Sequence, residues 1–333
     1  MIKQFIIILI GLYIVSCSTD KSCTTCENEK DEFIKESPVS AIIALEKELE
    51  GFSSGSGMQY FNGFFYAVGD DDAYLWKFDE LGTLQDKWLI WDTSAVEGHR
   101  IRKKVKPDFE AMSFLPRNSD TSLLIFASGS KPIKRDYILQ FDPNKKELIE
   151  LSASVLPFYD WLRTEVFNPK DLNIEGAAFW NEQLILLNRA TNTLLLLKKS
   201  DFMENIVKDR ISHLDYQHFH YQLPLIQTDT ARFSGASIIP GTNHLLFSAS
   251  VELTEDWVDD GGILGSFIGI IDLEHPDSPP LACELVTWEN KETYIGKIEA
   301  VEGKLSSDKK IKVIAITDND NGKTNFLHID FKF

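Results

Sequence analysis

The chain has 333 residues, 43% of them hydrophobic, with 51 acidic against 34 basic side chains and a formal charge of −17. Such acidity disfavours nucleic acid and anionic membrane surfaces as partners, because both are repelled, and it suits divalent cations. Four Cys are too few to build a disulfide scaffold, while the apolar content suffices for one large folded domain.

The first segment reads as a processing signal. Met1-Ile2-Lys3-Gln4 is a short basic start, and Phe5 to Val15 is an apolar run of h-region length, well short of the roughly 20 residues that span a bilayer. The run ends in Ile14-Val15-Ser16-Cys17, the pattern of a bacterial lipobox, with an ordinary secretory signal as the alternative. The expectation is a signal peptide over 1–16, lipidated Cys17 and a polar tether over 17–40, and a folded domain over 41–333. Removal of Lys3 with the signal leaves 33 basic residues against 51 acidic ones. Several acyl chains on Cys17 would hold the protein stably in the cell envelope, on the periplasmic or surface side of an outer membrane. Within the tether, Cys23-Thr24-Thr25-Cys26 lacks a partner pair and reads as a local disulfide or as nothing; Cys283, in an apolar strand, reads as buried and inert.

The folded part opens with Ala41 to Leu49, a strand-like stretch whose Ala, Leu, Glu and Lys also permit a helix. A motif then recurs five times: Ser56-Gly57-Met58, Glu110-Ala111-Met112, Glu175-Gly176-Ala177, Ser234-Gly235-Ala236 and Glu299-Ala300-Val301, spaced 54, 65, 59 and 65 residues apart. Each copy starts a short strand, followed by a turn such as Asn62-Gly63 and a very apolar second strand such as Leu184 to Leu187. A third strand ends each repeat in sequences such as Tyr74 to Asp79, and four repeats continue into a fourth, as in Leu281 to Trp288. The fifth repeat has no room for one, because the chain ends at Phe333. The pattern predicts an all-β propeller of five blades, with six as the alternative. The stretch 41–49 supplies the outer strand of the last blade and closes the ring. Pro157 to Val166 reads as a short helical insertion between the second and third blades.

In a propeller the start of each first strand and the end of each second strand share one rim. The motif therefore gathers Glu110, Glu175 and Glu299 with second-strand ends that include Asp70 and Asp318. Such an oxygen-rich ring suits Ca²⁺ or Mg²⁺. Two readings stand side by side: a structural Glu–Arg network in which Arg135 and Arg189 neutralise Glu110 and Glu175, and a metal or ligand site built on it. The basic run Arg100 to Lys106 leads into the second motif, so Lys103 and Lys104, with Arg135 and Arg189, are candidates for an anionic small molecule or a cell-surface ligand. The alternative for that run is a solvated loop. Leu253 to Ser266, with Asp259-Asp260-Gly261-Gly262, reads as a lid over the same rim and adds Asp259 and Asp260 to the ligand candidates. A monomer is expected. As an enzyme the chain would be a metal-dependent hydrolase of phosphate or other esters, with Glu110, Glu175 and Glu299 as ligands or base. No Ser-His-Asp arrangement is evident, and the one GxSxG match, Gly51-Phe52-Ser53-Ser54-Gly55, lacks the strand-to-helix setting of a nucleophile elbow, which disfavours acyl-enzyme chemistry. As a non-enzyme it would use the same face to bind a ligand or protein.

These elements, with Gly69-Asp70-Asp71, Lys103 to Ala111, Asn173-Ile174-Glu175-Gly176, Asn188-Arg189, Asp259-Asp260-Gly261 and Asp318-Asn319-Asp320, resemble a family of uncharacterised bacterial lipoproteins, mainly of Bacteroidetes type, built on a propeller domain of unknown function. The resemblance covers most of 41–333 and implies the fold but no activity. The Phe109-Glu110-Ala111 and Ile174-Glu175-Gly176 elements are more loosely similar to esterase-like phytase and gluconolactonase/senescence-marker propellers, which implies one divalent cation at the axis. The pair of axial Asn and the single late Asp of the latter group are not evident here.

Overall fold

The computed structural model describes residues 39–333 except 99, 116–121, 151, 207–210, 212, 254–260, 308 and 320. The first strand is β1 (Ser40–Glu48). The first antiparallel meander comprises β2 (Gly55–Phe61), β3 (Phe64–Gly69), β4 (Tyr74–Phe78) and β5 (Leu84–Leu89), after which β6 (Val96–Glu97) and β7 (Arg100–Ile101) form a small ribbon. The second comprises β8 (Phe109–Leu115), β9 (Ser122–Ala127), β10 (Ile138–Asp142) and β11 (Glu147–Glu150). Helix α1 (Ser152–Trp161) follows and runs into one wide helical turn over Leu162–Val166. The third comprises β12 (Ile174–Trp180), β13 (Gln183–Asn188) and β14 (Thr193–Lys198), then helix α2 (Lys199–Asn205) and β15 (Tyr216–His220). A second ribbon, β16 (Leu225–Ile226) and β17 (Asp229–Thr230), precedes the fourth meander: β18 (Arg232–Ile238), β19 (His244–Leu253), β20 (Gly262–Asp272) and β21 (Ala282–Thr287). The fifth has β22 (Ile298–Ser307), β23 (Lys310–Thr317) and β24 (Asn325–Lys332), with β1 as its outer strand.

The first strands close a circle. Strand β2 packs on β8, β8 on β12, β12 on β18, β18 on β22, and β22 back on β2. The apolar cores lie between neighbouring sheets, which explains the apolar second strands. In β13, Leu184 and Leu186 face the second meander, whereas Ile185 and Leu187 face the fourth. A strand buried on both faces reads as an unbroken hydrophobic run, since side chains alternate sides. Each such Leu or Ile contributes roughly 1.5–3 kcal/mol on burial. This is a β-propeller.

Closure is by β1, so the segment over 40–48 is strand and the helical alternative fails. Its Ala41 and Ile43 point into the core between the fourth and fifth meanders, and the strand pairs antiparallel with β24 from Ser40↔Lys332 to Glu48↔Asn325. It also pairs parallel with β21 (Ala41↔Val286), so the last two meanders form one eight-stranded sheet. The expected insertion is present as α1, which begins earlier than Pro157 and carries that proline inside; α2 is not among the elements read from the sequence. The ends of the expected lid are ladder, since β19 and β20 run on to the pair Leu253↔Gly262, and its centre, 254–260, lies outside the described residues. Among the described residues no helix is long and apolar enough to cross a membrane. Cys17, Cys23 and Cys26 lie outside the described residues. Cys283 is a half-buried free thiol in β21, pushed up to about 12 by burial.

Candidate functional site

Every first strand is bulged at the same place. Register against the second strand slips between Gly55 and Gly57, Phe109 and Ala111, Ile174 and Gly176, Phe233 and Gly235, and Ile298 and Ala300. The skipped residues are Ser56, Glu110, Glu175, Ser234 and Glu299, the first residue of each repeated motif. A bulge leaves its extra residue outside the ladder and re-aims the side chain. Next to it only Gly or Ala fits, because the neighbouring first strand comes close. A Cβ on Gly235 would lie 2.5 Å from the Glu299 carbonyl oxygen, and one on Gly176 would lie 2.9 Å from the Ala236 Cβ.

Four of these bulge residues line one axial cavity of about 470 Å³, together with Asp70, Asp318, Lys103, Arg135 and Arg189. Nine carboxylates and seven cationic side chains line it, so a negative surplus remains when all are ionised. The cations are not shared evenly. Lys106 sits between Asp70 and Asp108, 3.0 Å from the latter and closer to the former, and Arg135 holds Asp108 at 2.5 Å. Arg189 donates to Glu252 at 3.0 Å and stands 4.0 Å from Glu175. Lys297 is 3.0 Å from Glu252 and 2.9 Å from Glu299. Asn173 Nδ2 donates to Glu175 Oε1 at 2.8 Å.

The electrostatics follow this partition. Burial opposes charge on Asp70 and Glu252, but their cations win: Lys106 holds Asp70 low, and Lys297 with Arg189 holds Glu252 low. The bulge carboxyls are left short. Burial, then Glu175, Asp108 and Asp70, push Glu110 well above the usual carboxylate range. Burial lifts Glu175 to about 8, with Arg189 opposing and Glu299 adding to the rise. Glu299 is lifted to about 7 by burial against Lys297 and Arg189. Two oxygens buried here, Asp70 Oδ1 and Glu299 Oε2, have no hydrogen-bond partner among the described residues. Oxygens of Asp70, Asp108 and Glu110 can lie within 4.8 Å of one another, the one such metal-compatible group among the described residues.

A model described as a family of unknown function (DUF6929) matches residues 51–331. The chain belongs to that family. No curated protein matches. Glutaminyl cyclase of Myxococcus xanthus is similar at 9% identity and a TM-score of 0.47, over 89% of this chain and 98% of that one. A luciferin-regenerating enzyme is similar at 8% identity and 0.42, over 87% and 97%, and the WD40 β-propeller domain of Doa1 at 11% and 0.36, over 87% and 96%.

Among the DUF6929 residues singled out from sequence, Asp70, Glu110, Glu175, Glu299 and Asp318 share the cavity with Lys103, Arg135 and Arg189. Lys104 is exposed and does not line it, and Asp259 and Asp260 lie outside the described residues. The expected Arg135–Glu110 pair is not formed. Arg135 binds Asp108 instead, since Asp108 stands just before the strand at a φ of 64° and Glu110 is turned out by the bulge. Asp108, Lys106 and Lys297 were not among the sequence candidates. A signal for two of them exists: the residue two before each bulge is polar in all five repeats (Ser54, Asp108, Asn173, Arg232, Lys297).

Proposed function

We propose that the axial pocket takes up a divalent cation on Asp70, Asp108 and Glu110, and an anionic small molecule over the basic residues Arg100, Arg102 and Lys103 beside it. The observation that carries this reading is the convergence of those three carboxylates, one with a buried oxygen that has no hydrogen-bond partner among the described residues. The donor set is all oxygen, which fits Ca²⁺ or Mg²⁺ and not Zn²⁺. A cation held there would polarise a phosphate or ester oxygen and lower the pKa of a bound water. Lys106 now neutralises two of the three carboxylates, and a divalent ion would repel its ammonium toward the anion. Glu175, with a pKa of about 8, holds a proton at neutral pH and suits proton transfer to a leaving group.

Thermal melting of chelator-treated protein with Ca²⁺, Mg²⁺ or Mn²⁺ tests the reading. A rise in Tm that Asp70→Asn and Glu110→Gln abolish supports it; no shift with any of the three ions removes it. A second reading rests on the ion pairs themselves. Lys106, Arg189 and Lys297 each engage two carboxylates, which suits a rigid, non-catalytic binding face for a small molecule or cell-surface ligand. Hydrolysis of generic phosphate esters or lactones, lost in Glu175→Gln, separates the enzyme from the binder. We further infer a monomer anchored in the bacterial envelope through Cys17. Fatty-acid labelling that disappears in Cys17→Ala tests the anchor.

A further inference from the structure

A second cavity lies away from the axis in the first meander. The turn Gly69-Asp70-Asp71-Asp72 divides its carboxylates: Asp70 and Asp71 line the axial pocket, whereas Asp72 lines a separate cavity of about 380 Å³ with Tyr74, Trp76 and Lys87. Asp72 is only 3% exposed. Its carboxylate accepts from the Tyr74 backbone N–H at 2.8 Å and from the Trp76 indole N–H at 3.0 Å, and no ion pair to it occurs among the described residues. Trp76 is fixed from behind by Phe52 at 5.3 Å and Phe78 at 6.0 Å between ring centroids. The Lys87 ammonium covers both rings, 4.6 Å from the centre of half-buried Tyr74 and 4.5 Å from that of Trp76, which is 4% exposed beneath it.

We propose that Tyr74, Trp76 and Asp72 form a binding site for a quaternary ammonium group, with Lys87 as its built-in occupant. Two aromatic faces attract a cation, with the Asp72 carboxyl, pushed up to about 7 by burial, beside them, and Lys87 shows which part of the cavity does so. Both Asp72 oxygens already accept hydrogen bonds from the chain. The cation that gains most is therefore one without N–H donors, which needs charge and aromatic surface more than acceptors. An exposed Lys side chain is held in such a position by about 0.5–1 kcal/mol. A ligand that displaces it meets only that barrier.

The site is independent of the axial reading, and its test uses organic cations in place of metal. Choline and tetramethylammonium are titrated calorimetrically into the whole protein, with 3,3-dimethylbutan-1-ol as the neutral isostere of choline. The expected result is saturable binding of both cations and none of the alcohol. Lys87→Ala should bind roughly two- to fivefold more tightly, the factor corresponding to the released cation–π contact. Tyr74→Phe should bind as the wild type, and Tyr74→Leu should lose binding. Absence of binding in both wild type and Lys87→Ala overturns the proposal. So does equal binding of the alcohol, or binding that survives Tyr74→Leu.

Discussion

Arg189 reaches past its own sheet to Glu252 of the next, 63 residues along the chain, and donates to it at 3.0 Å with both side chains buried. The same guanidinium donates to Ser250 Oγ at 3.1 Å, so it ties the third and fourth meanders at the axis. Burial disfavours its charge, but Glu252, Glu175 and Glu299 outweigh that effect and hold it fully protonated.

Arg189→Met should therefore destabilise the protein by about 3–5 kcal/mol, because it removes the bond to Ser250 and one of the two cations that hold buried Glu252. Adding Glu252→Leu should recover part of the loss, since it removes that carboxylate. Urea unfolding of the two variants checks both statements. A single variant within about 0.5 kcal/mol of wild type would show the pair to be dispensable.

Gly235→Ala should cost about 1–3 kcal/mol, because the new methyl meets backbone: the Glu299 carbonyl at 2.5 Å and the Ala300 Cα at 2.9 Å. Gly57→Ala is the milder change, since its nearest neighbour is the flexible Met112 side chain at 2.9 Å. The order of the two losses in denaturant midpoints is the test.

Lys106→Met should destabilise the metal-free protein by about 3–5 kcal/mol through the repulsion left between Asp70 and Asp108, which the ammonium now bridges. Millimolar Ca²⁺ should restore most of that loss and bind more tightly than in wild type, because the competing ammonium is gone. Melting curves with and without the ion decide; a variant indifferent to Ca²⁺ speaks against a cation at these carboxylates.

Glu302 lies on the fifth first strand below the bulge and accepts from Gln59 Nε2 of the first meander at 2.8 Å. Burial pushes its carboxyl up to about 8 from an ordinary 4.5. The folded state therefore binds the extra proton between those values, and stability falls as pH rises from about 4.5 to about 8. Glu302→Gln keeps an acceptor for Gln59 and removes the titration. Its stability relative to wild type should climb across that window and level off above it, as followed by unfolding at a series of pH values. A constant difference would place the titration elsewhere.

The architecture was readable because Leu184-Ile185-Leu186-Leu187 and its counterparts are buried on both faces, and burial of that kind writes itself as an apolar run. The recurrent Glu or Ser before Gly or Ala was readable for a different reason: the bulge needs a small residue where Gly235 meets Glu299. The pairings were not readable. Whether Arg135 meets Asp108 or Glu110 depends on a one-residue register slip, which leaves no mark on composition or period. Lys297 escaped notice because it is a lone base in no run; its meaning lies in its position two residues before Glu299. The polar residues two ahead of every bulge would have pointed to it and to Asp108.

The strand shared by β21 and β24 couples the two extremes of the polypeptide. Segment 40–48 leaves the ribosome before any other described strand, yet its partners are synthesised only after nearly all the rest. Until then the circle stays open, with the edges of the fourth and fifth meanders exposed to self-association. The step that completes the wheel joins residues almost 300 positions apart, the slow non-local kind of contact, so its rate governs how long the nascent chain needs protection.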